Sequence, residues 1–210
     1  MKRIITIGRQ MGCGGREVCK ALSERLGIPF YDRELIDYAA NQSGLSADII
    51  EKFDEKATNS LLYSLSLSSY SMVTHTHAHA HADAHSVSHL PINDRLFITQ
   101  SDVIKELAEK GPCIFLGRCS DHVLSERDDV LNVFLYSDLD YRVENIEKRL
   151  GISKPKAAEI VKKTEKRRAT YYNYYTHKKW GDHHNFDLTV NCKNGIDTVV
   201  DLIIKSYKTM

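Results

Sequence analysis

The join between the first apolar run and the first amphipathic run, IITIGRQMGCGGREV, constrains this chain more than any other stretch. Residues 3–7 are rich in β-branched side chains and read as a buried strand. From Arg16 onward, Val18, Ala21, Leu22 and Leu26 recur at helical spacing, and Gly27 offers a left-handed stop. Between strand and helix lie Gly8, Gly12, Gly14 and Gly15. Glycine permits positive φ and close backbone approach. The N–H groups of such a turn can therefore converge on an anion at the positive end of the helix. Strand, glycine turn and helix form the context of a phosphate-binding loop. A plainer reading, a turn that only lets the helix pack on the sheet, uses the same residues.

The full phosphate-loop motif, G-x-x-x-x-G-K-[ST], is not matched. In one register Arg9 replaces the first glycine, Gly15 the lysine and Arg16 the hydroxyl residue. In the other, Gln10 replaces the first glycine, Arg16 the lysine and Glu17 the hydroxyl residue. The second keeps the chemistry better, because an arginine holds phosphate with a two-pronged hydrogen bond and a carboxylate can reach magnesium. Both registers stay open. Arg9, Gly12, Cys13, Gly14, Gly15, Arg16 and Glu17 are the candidate nucleotide-binding residues, with Arg16 the candidate catalytic cation and Glu17 a candidate Mg2+ ligand.

Further strands are expected at 29–31, 113–116, 130–136 and 186–191, and further helices at 33–42, 47–56, 93–110, 138–149, 153–177 and 195–207. Strands separated by helices imply an α/β fold with a five-stranded parallel sheet and right-handed crossovers. In such sheets ligands sit beyond the carboxyl ends of the strands. That rule puts the 8–17 loop, Asp32 and the 117–121 segment on one rim.

The chain has 210 residues, enough for one large domain or one domain with an insertion. Its 29 basic and 28 acidic residues leave a formal charge of +1, so no global positive field announces nucleic acid as a partner. The five cysteines are odd in number and form no C-x-x-C pair, which suits reduced thiols in the cytoplasm. No apolar run approaches the ~20 residues that a membrane span needs, so no membrane association is expected.

Four stretches resemble the cytidylate kinase-like family of phosphate-loop nucleoside-monophosphate kinases: IGRQMGCGGREV, LGIPFYDRELI, LPINDRLFITQSDVIKELAEKGPCIFLGRCSDHVL and YYNYYTHKKWGDHHNFDLTVN. With the order between them, the resemblance covers nearly the whole chain. It implies a three-layer P-loop NTPase fold and phosphoryl transfer from ATP, with magnesium, to a CMP-like nucleoside monophosphate. It also implies a helical lid at about 153–180. The departure is the missing lysine and hydroxyl, which bears on turnover more than on binding. A nucleotide-binding protein acting as a sensor or partner-binding module is the alternative.

Phosphoryl transfer needs cations around the moving phosphate. Arg118 follows Gly117 at the end of the third strand and by resemblance contacts the acceptor. Asp121 is placed by resemblance at the acceptor's base or sugar, and Asp32 near its hydroxyl or a metal-bound water. Asp32 also serves as a helix cap in the plainer reading. Arg95 is placed by resemblance at the acceptor phosphate. Arg167 and Arg168 fall in the lid, where they would close over the phosphates and exclude water. An insertion spans about 58–92 and carries a histidine-rich loop at 74–89. His75, His77, His79 and His81 alternate, as transition-metal ligands could. The run is low in complexity, and it reads as a solvated loop that binds metal adventitiously.

Overall fold

The computed structural model describes residues 3–32 and 90–209. The helices expected at 33–42 and 47–56, most of the 58–92 insertion and His75, His77, His79 and His81 lie outside those residues.

Five strands form one parallel sheet in the order β2-β3-β1-β4-β5. They are β1 (Ile4–Arg9), β2 (Phe30–Tyr31), β3 (Cys113–Leu116), β4 (Val130–Tyr136) and β5 (Leu188–Asn191). Helices α1 (Gly15–Leu26), α2 (Ile92–Lys110), α3 (Ser120–Val123), α4 (Leu139–Leu150), α5 (Lys154–Thr176) and α6 (Ile196–Thr209) complete the described fold. The strands are near-continuous apolar runs because helices cover both faces of the sheet. On one face Ile5, Ile7, Leu131 and Val133 pack under α1 and α6 through Leu22 and Val200. On the other, Ile4, Phe115 and Val130 pack under α2 through Val103 and Ile104. Among the described residues, no helix is long and apolar enough to cross a membrane.

α1 ends as expected, with Gly27 left-handed at φ 66° and its N–H bonded to the Ser23 carbonyl. Strand limits differ from expectation in β1, β2 and β5. β1 runs on to Arg9, because Gly8 and Arg9 still pair with Phe134 and Leu135. Gly8 makes room for its neighbour's ring, since a Cβ there would lie 2.8 Å from Phe134 Cδ2. β5 begins at Leu188, because residues His183–Asn185 form a 3₁₀ turn capped by the Asp182 carboxylate.

Phe115 is fully buried and among the largest of the enclosed side chains. Phe115→Ala is expected to cost about 3–5 kcal/mol, read from the urea midpoint. A loss below about 1 kcal/mol would mean that the core collapses into the gap, contrary to a close-packed interior.

Candidate active site

The turn from β1 to α1 is held open by its glycines. Gly12 has φ 90° and Gly14, the N-cap of α1, φ 68°. Gly12 lies against the backbone of α4. A Cβ there would overlap the Arg142 carbonyl oxygen, with the carbonyl carbon and Cα of Arg142 both 2.9 Å away. The contact is tied by Asn145 Nδ2, which donates to the Gly12 carbonyl at 2.9 Å. Gln10 fixes the near end. Its N–H donates to the Leu135 carbonyl at 2.9 Å, and its Oε1 accepts from the Ser137 N–H at 3.1 Å.

α5 is docked on this loop by two residues one turn apart. The Met11 N–H donates to Glu165 Oε1 at 2.5 Å. Arg168 Nη1 donates to the Arg9 carbonyl at 2.8 Å. An amide of the turn thus already holds a carboxylate, as an anion-seeking turn should. Beside it, Arg142 is 8% exposed, and its Nε donates to the Ser137 carbonyl. Its Nη1 is buried without a hydrogen-bond partner, 3.9 Å from Glu165 Oε2.

A second group of charges gathers beyond the ends of β1, β2 and β3. Arg9, Arg118 and Arg168 act on one another electrostatically and are offset by Asp32. Burial of the guanidiniums lowers the pKa of all three, that of Arg168 to about 9. Taking charges out of water is costly unless an opposite charge compensates. Among the described residues Asp32 and Glu165 act on them as counter-charges, and a phosphate or carboxylate would add to that compensation. The turn that carries Arg118 is strained. Gly117, Arg118 and Cys119 follow one another at φ 78°, 61° and 54°. Side chains at positive φ cost roughly 1–3 kcal/mol each and cluster at functional sites.

A cleft of about 410 Å³ opens beside the loop. Gly12, Gly14, Glu17, Tyr141, Arg149 and Ile196 line it. The loop therefore borders a cleft large enough for part of a nucleotide, and Arg9 at its start belongs to the arginine cluster.

The fold brings Arg9, Asp32, Arg118 and Arg168 together, while other expected site residues fall elsewhere. Arg16 and Glu17 are exposed in the first turn of α1, although Glu17 borders the cleft. Arg167 approaches Thr164 Oγ1 of its own helix at 3.5 Å. Asp121 is buried and accepts from Tyr172 Oη at 2.6 Å, so its carboxylate ties α3 to α5. Burial raises its pKa, and the tyrosine bond pulls the other way. Arg95 lies half-buried in the first turn of α2.

The sequence reading missed Arg142, Asn145 and Glu165, yet a signal was present. Ala157, Val161, Tyr172 and Thr176 form the buried stripe of α5, and Glu165 sits on it at the same period. Arg142 likewise shares a helical face with Ile146 in α4. A charge on an apolar stripe marks a group that the fold is holding for a reason.

A model of the cytidylate kinase-like family matches residues 4–194. The chain belongs to that family. A protein named shikimate kinase from Flavobacterium johnsoniae is 26% identical over 198 residues, spanning 90% of this chain and 95% of its own. An uncharacterized protein from Eubacterium ventriosum has a solved structure that is 30% identical, covers 100% of both chains and superposes with TM-score 0.72. The shikimate kinase of Bacteroides thetaiotaomicron shares the fold, at 13% identity, 98% coverage of each chain and TM-score 0.54. The cytidylate kinase-like chain thus has a P-loop kinase fold.

Glu165 has a testable consequence in this family member. A phosphate entering the turn would meet a carboxylate already on the Met11 amide. A charge-assisted hydrogen bond contributes about 1.5–3 kcal/mol, so Glu165→Gln is expected to tighten ATP binding roughly tenfold. Calorimetry with ATP checks this, and equal affinity in the two proteins would place Glu165 outside the phosphate's path.

Proposed function

We propose that this protein transfers a phosphoryl group from ATP to a nucleoside monophosphate, CMP-like in kind. One juxtaposition carries the reading: a glycine turn with Gly12 and Gly14 at positive φ, one of whose amides already holds a carboxylate, lies beside the half-buried side chains of Arg9, Arg118 and Arg168, with Asp32 among them. Phosphoryl transfer asks mainly for positioning and for positive charge around the three equatorial oxygens. The donor's base and sugar would occupy the cleft beside Tyr141 and Arg149, and its phosphates the turn. The acceptor's anionic group would sit on Arg118, with its hydroxyl toward Asp32. Arg168 is already held at the loop by its bond to the Arg9 carbonyl, so α5 would keep that charge beside the phosphates and shield them from water.

Magnesium fits the donor set in part. Glu17 and Asp32 are the carboxylates beside the loop that would hold it, and the motif's hydroxyl ligand is absent. When bound, the ion supplies charge neutralisation on the phosphates. The protein would work in the cytoplasm on a small-molecule nucleotide, without nucleic acid or membrane partners.

Two other readings each rest on an observation. The relative named shikimate kinase favours a small hydroxylated acid as acceptor, since the arginines suit a carboxylate as well as a phosphate. Glycine at position 15 and a carboxylate on the Met11 amide favour a nucleotide-binding sensor without turnover. Coupled ADP release, measured with CMP, the other monophosphates, shikimate and gluconate, separates the three. CMP-dependent release supports the proposal, acid-dependent release replaces it with the second reading, and ATP binding without release leaves the sensor.

A further inference from the structure

The loop lacks its lysine, and Arg16 is exposed in the first turn of α1. The glycines point to a different cation. Gly12 and Gly14 take positive φ, but Gly15, the first residue of α1, does not. Glycine at position 15 is therefore not required by the backbone. It is required by a neighbour: a Cβ there would lie 2.9 Å from Arg9 Cγ and 3.4 Å from Arg9 Cβ. The stem of Arg9 crosses the start of α1 at the place a lysine side chain would leave it. Further along, a Cβ on Gly117 would overlap Arg9 Nη1, with Arg9 Cζ 3.1 Å away. Two glycines from different elements thus clear a channel for one arginine. Its carbonyl is meanwhile pinned by Arg168.

We propose that Arg9 is the catalytic cation of this phosphate loop. It reaches the transferring phosphate from the end of β1, where the motif uses a lysine at the start of α1. Gly15 is glycine so that Arg9 can cross it. This assigns the first register, with Arg9 in the first glycine position and Gly15 in the lysine position, and it moves the role expected of Arg16 to Arg9. The guanidinium ends beside Arg118 and Asp32, between the turn and the acceptor pocket, where charge develops during transfer. Burial desolvates it, which strengthens its attraction for a phosphate.

The inference rests on phosphoryl transfer as the function, and a positional exchange tests it. Arg9→Met keeps the aliphatic stem and removes the charge. It is expected to lose roughly a hundredfold or more in kcat, with ATP affinity changed far less. Gly15→Lys alone collides with the Arg9 stem and is expected to lower both the thermal midpoint and kcat. Arg9→Gly combined with Gly15→Lys rebuilds the ordinary motif as far as its lysine. That double variant is expected to regain at least about tenfold in kcat over Arg9→Gly alone. The readouts are ADP release with the best acceptor of the panel, ATP affinity by calorimetry and the thermal midpoint. A folded Arg9→Met protein with wild-type kcat overturns the inference, as does a folded double variant no faster than Arg9→Gly. In either case an active wild type leaves phosphoryl transfer standing. A wild type that releases no ADP with any acceptor removes phosphoryl transfer and the inference together.

Discussion

Gly12→Ala is expected to abolish detectable ATP binding. Position 12 has φ 90°, a conformation that costs an alanine roughly 1–3 kcal/mol. Steric overlap adds to that. The new methyl would overlap the Arg142 carbonyl oxygen and stand 2.9 Å from two further backbone atoms of α4. A flexible side chain could swing away, but helix backbone cannot. α4 is itself fastened to the loop by Asn145 and buried against α5 through Val143 and Ile146. Either the turn leaves α4 or α4 leaves the sheet, and both disperse the amides. The expected loss of ATP affinity is a hundredfold or more, equivalent to about 2.7 kcal/mol. Gly27→Ala separates the two causes, because Gly27 has φ 66° but nothing within 4 Å of a new Cβ. It should lower stability by about 1 kcal/mol through backbone strain alone and leave ATP affinity intact. Calorimetry on folded protein decides. Gly12→Ala binding ATP within about threefold of wild type would refute a loop built on that close approach.

With a hydroxylated acid as acceptor, Asp32→Asn is expected to lower kcat by roughly 10²–10⁴, the usual contribution of a positioned general base; with a nucleoside monophosphate, whose attacking phosphate oxygen carries no proton to remove, kcat is expected to change far less. Asp32 directly follows β2, half-buried, and its charge acts on Arg9, Arg118 and Arg168. The substitution keeps its shape and removes the anion. If Asp32 takes the acceptor's proton, kcat falls while ATP affinity holds or rises, because three cations then lack their nearest counter-charge. If Asp32 only balances those cations, kcat survives and affinities for anions alone increase. Steady-state ADP release beside ATP calorimetry separates the outcomes. Wild-type kcat with such an acid in the variant would end the assignment of Asp32 to the acceptor's hydroxyl.

Much of the frame could be read along the chain. The β-branched run at 3–7 and the apolar runs at 113–116 and 130–136 became strands because a sheet covered on both faces selects unbroken apolar stretches. Gly27 ended α1 because only a residue tolerant of positive φ can close a helix that way. The crossover rule places Arg118 and Asp32 on one rim. Local limits were less legible. β5 started two residues late, because the Asp182 cap drew the 183–185 segment into a turn that the strand-like run at 186–191 did not announce.

The sequence by itself determined the parallel sheet, the glycine turn between β1 and α1 and the rim on which the candidate site lies. These follow from periodicity and backbone freedom, which are properties of neighbouring residues. Only the tertiary structure decided that Glu165 meets the Met11 amide, 154 residues away, and that Arg9 rather than Arg16 lies along the loop. Those outcomes depend on side chains from α4, α5 and β3 competing for one volume. Which charge wins a shared, poorly solvated space is set by packing across the fold, and no stretch of chain carries that information alone.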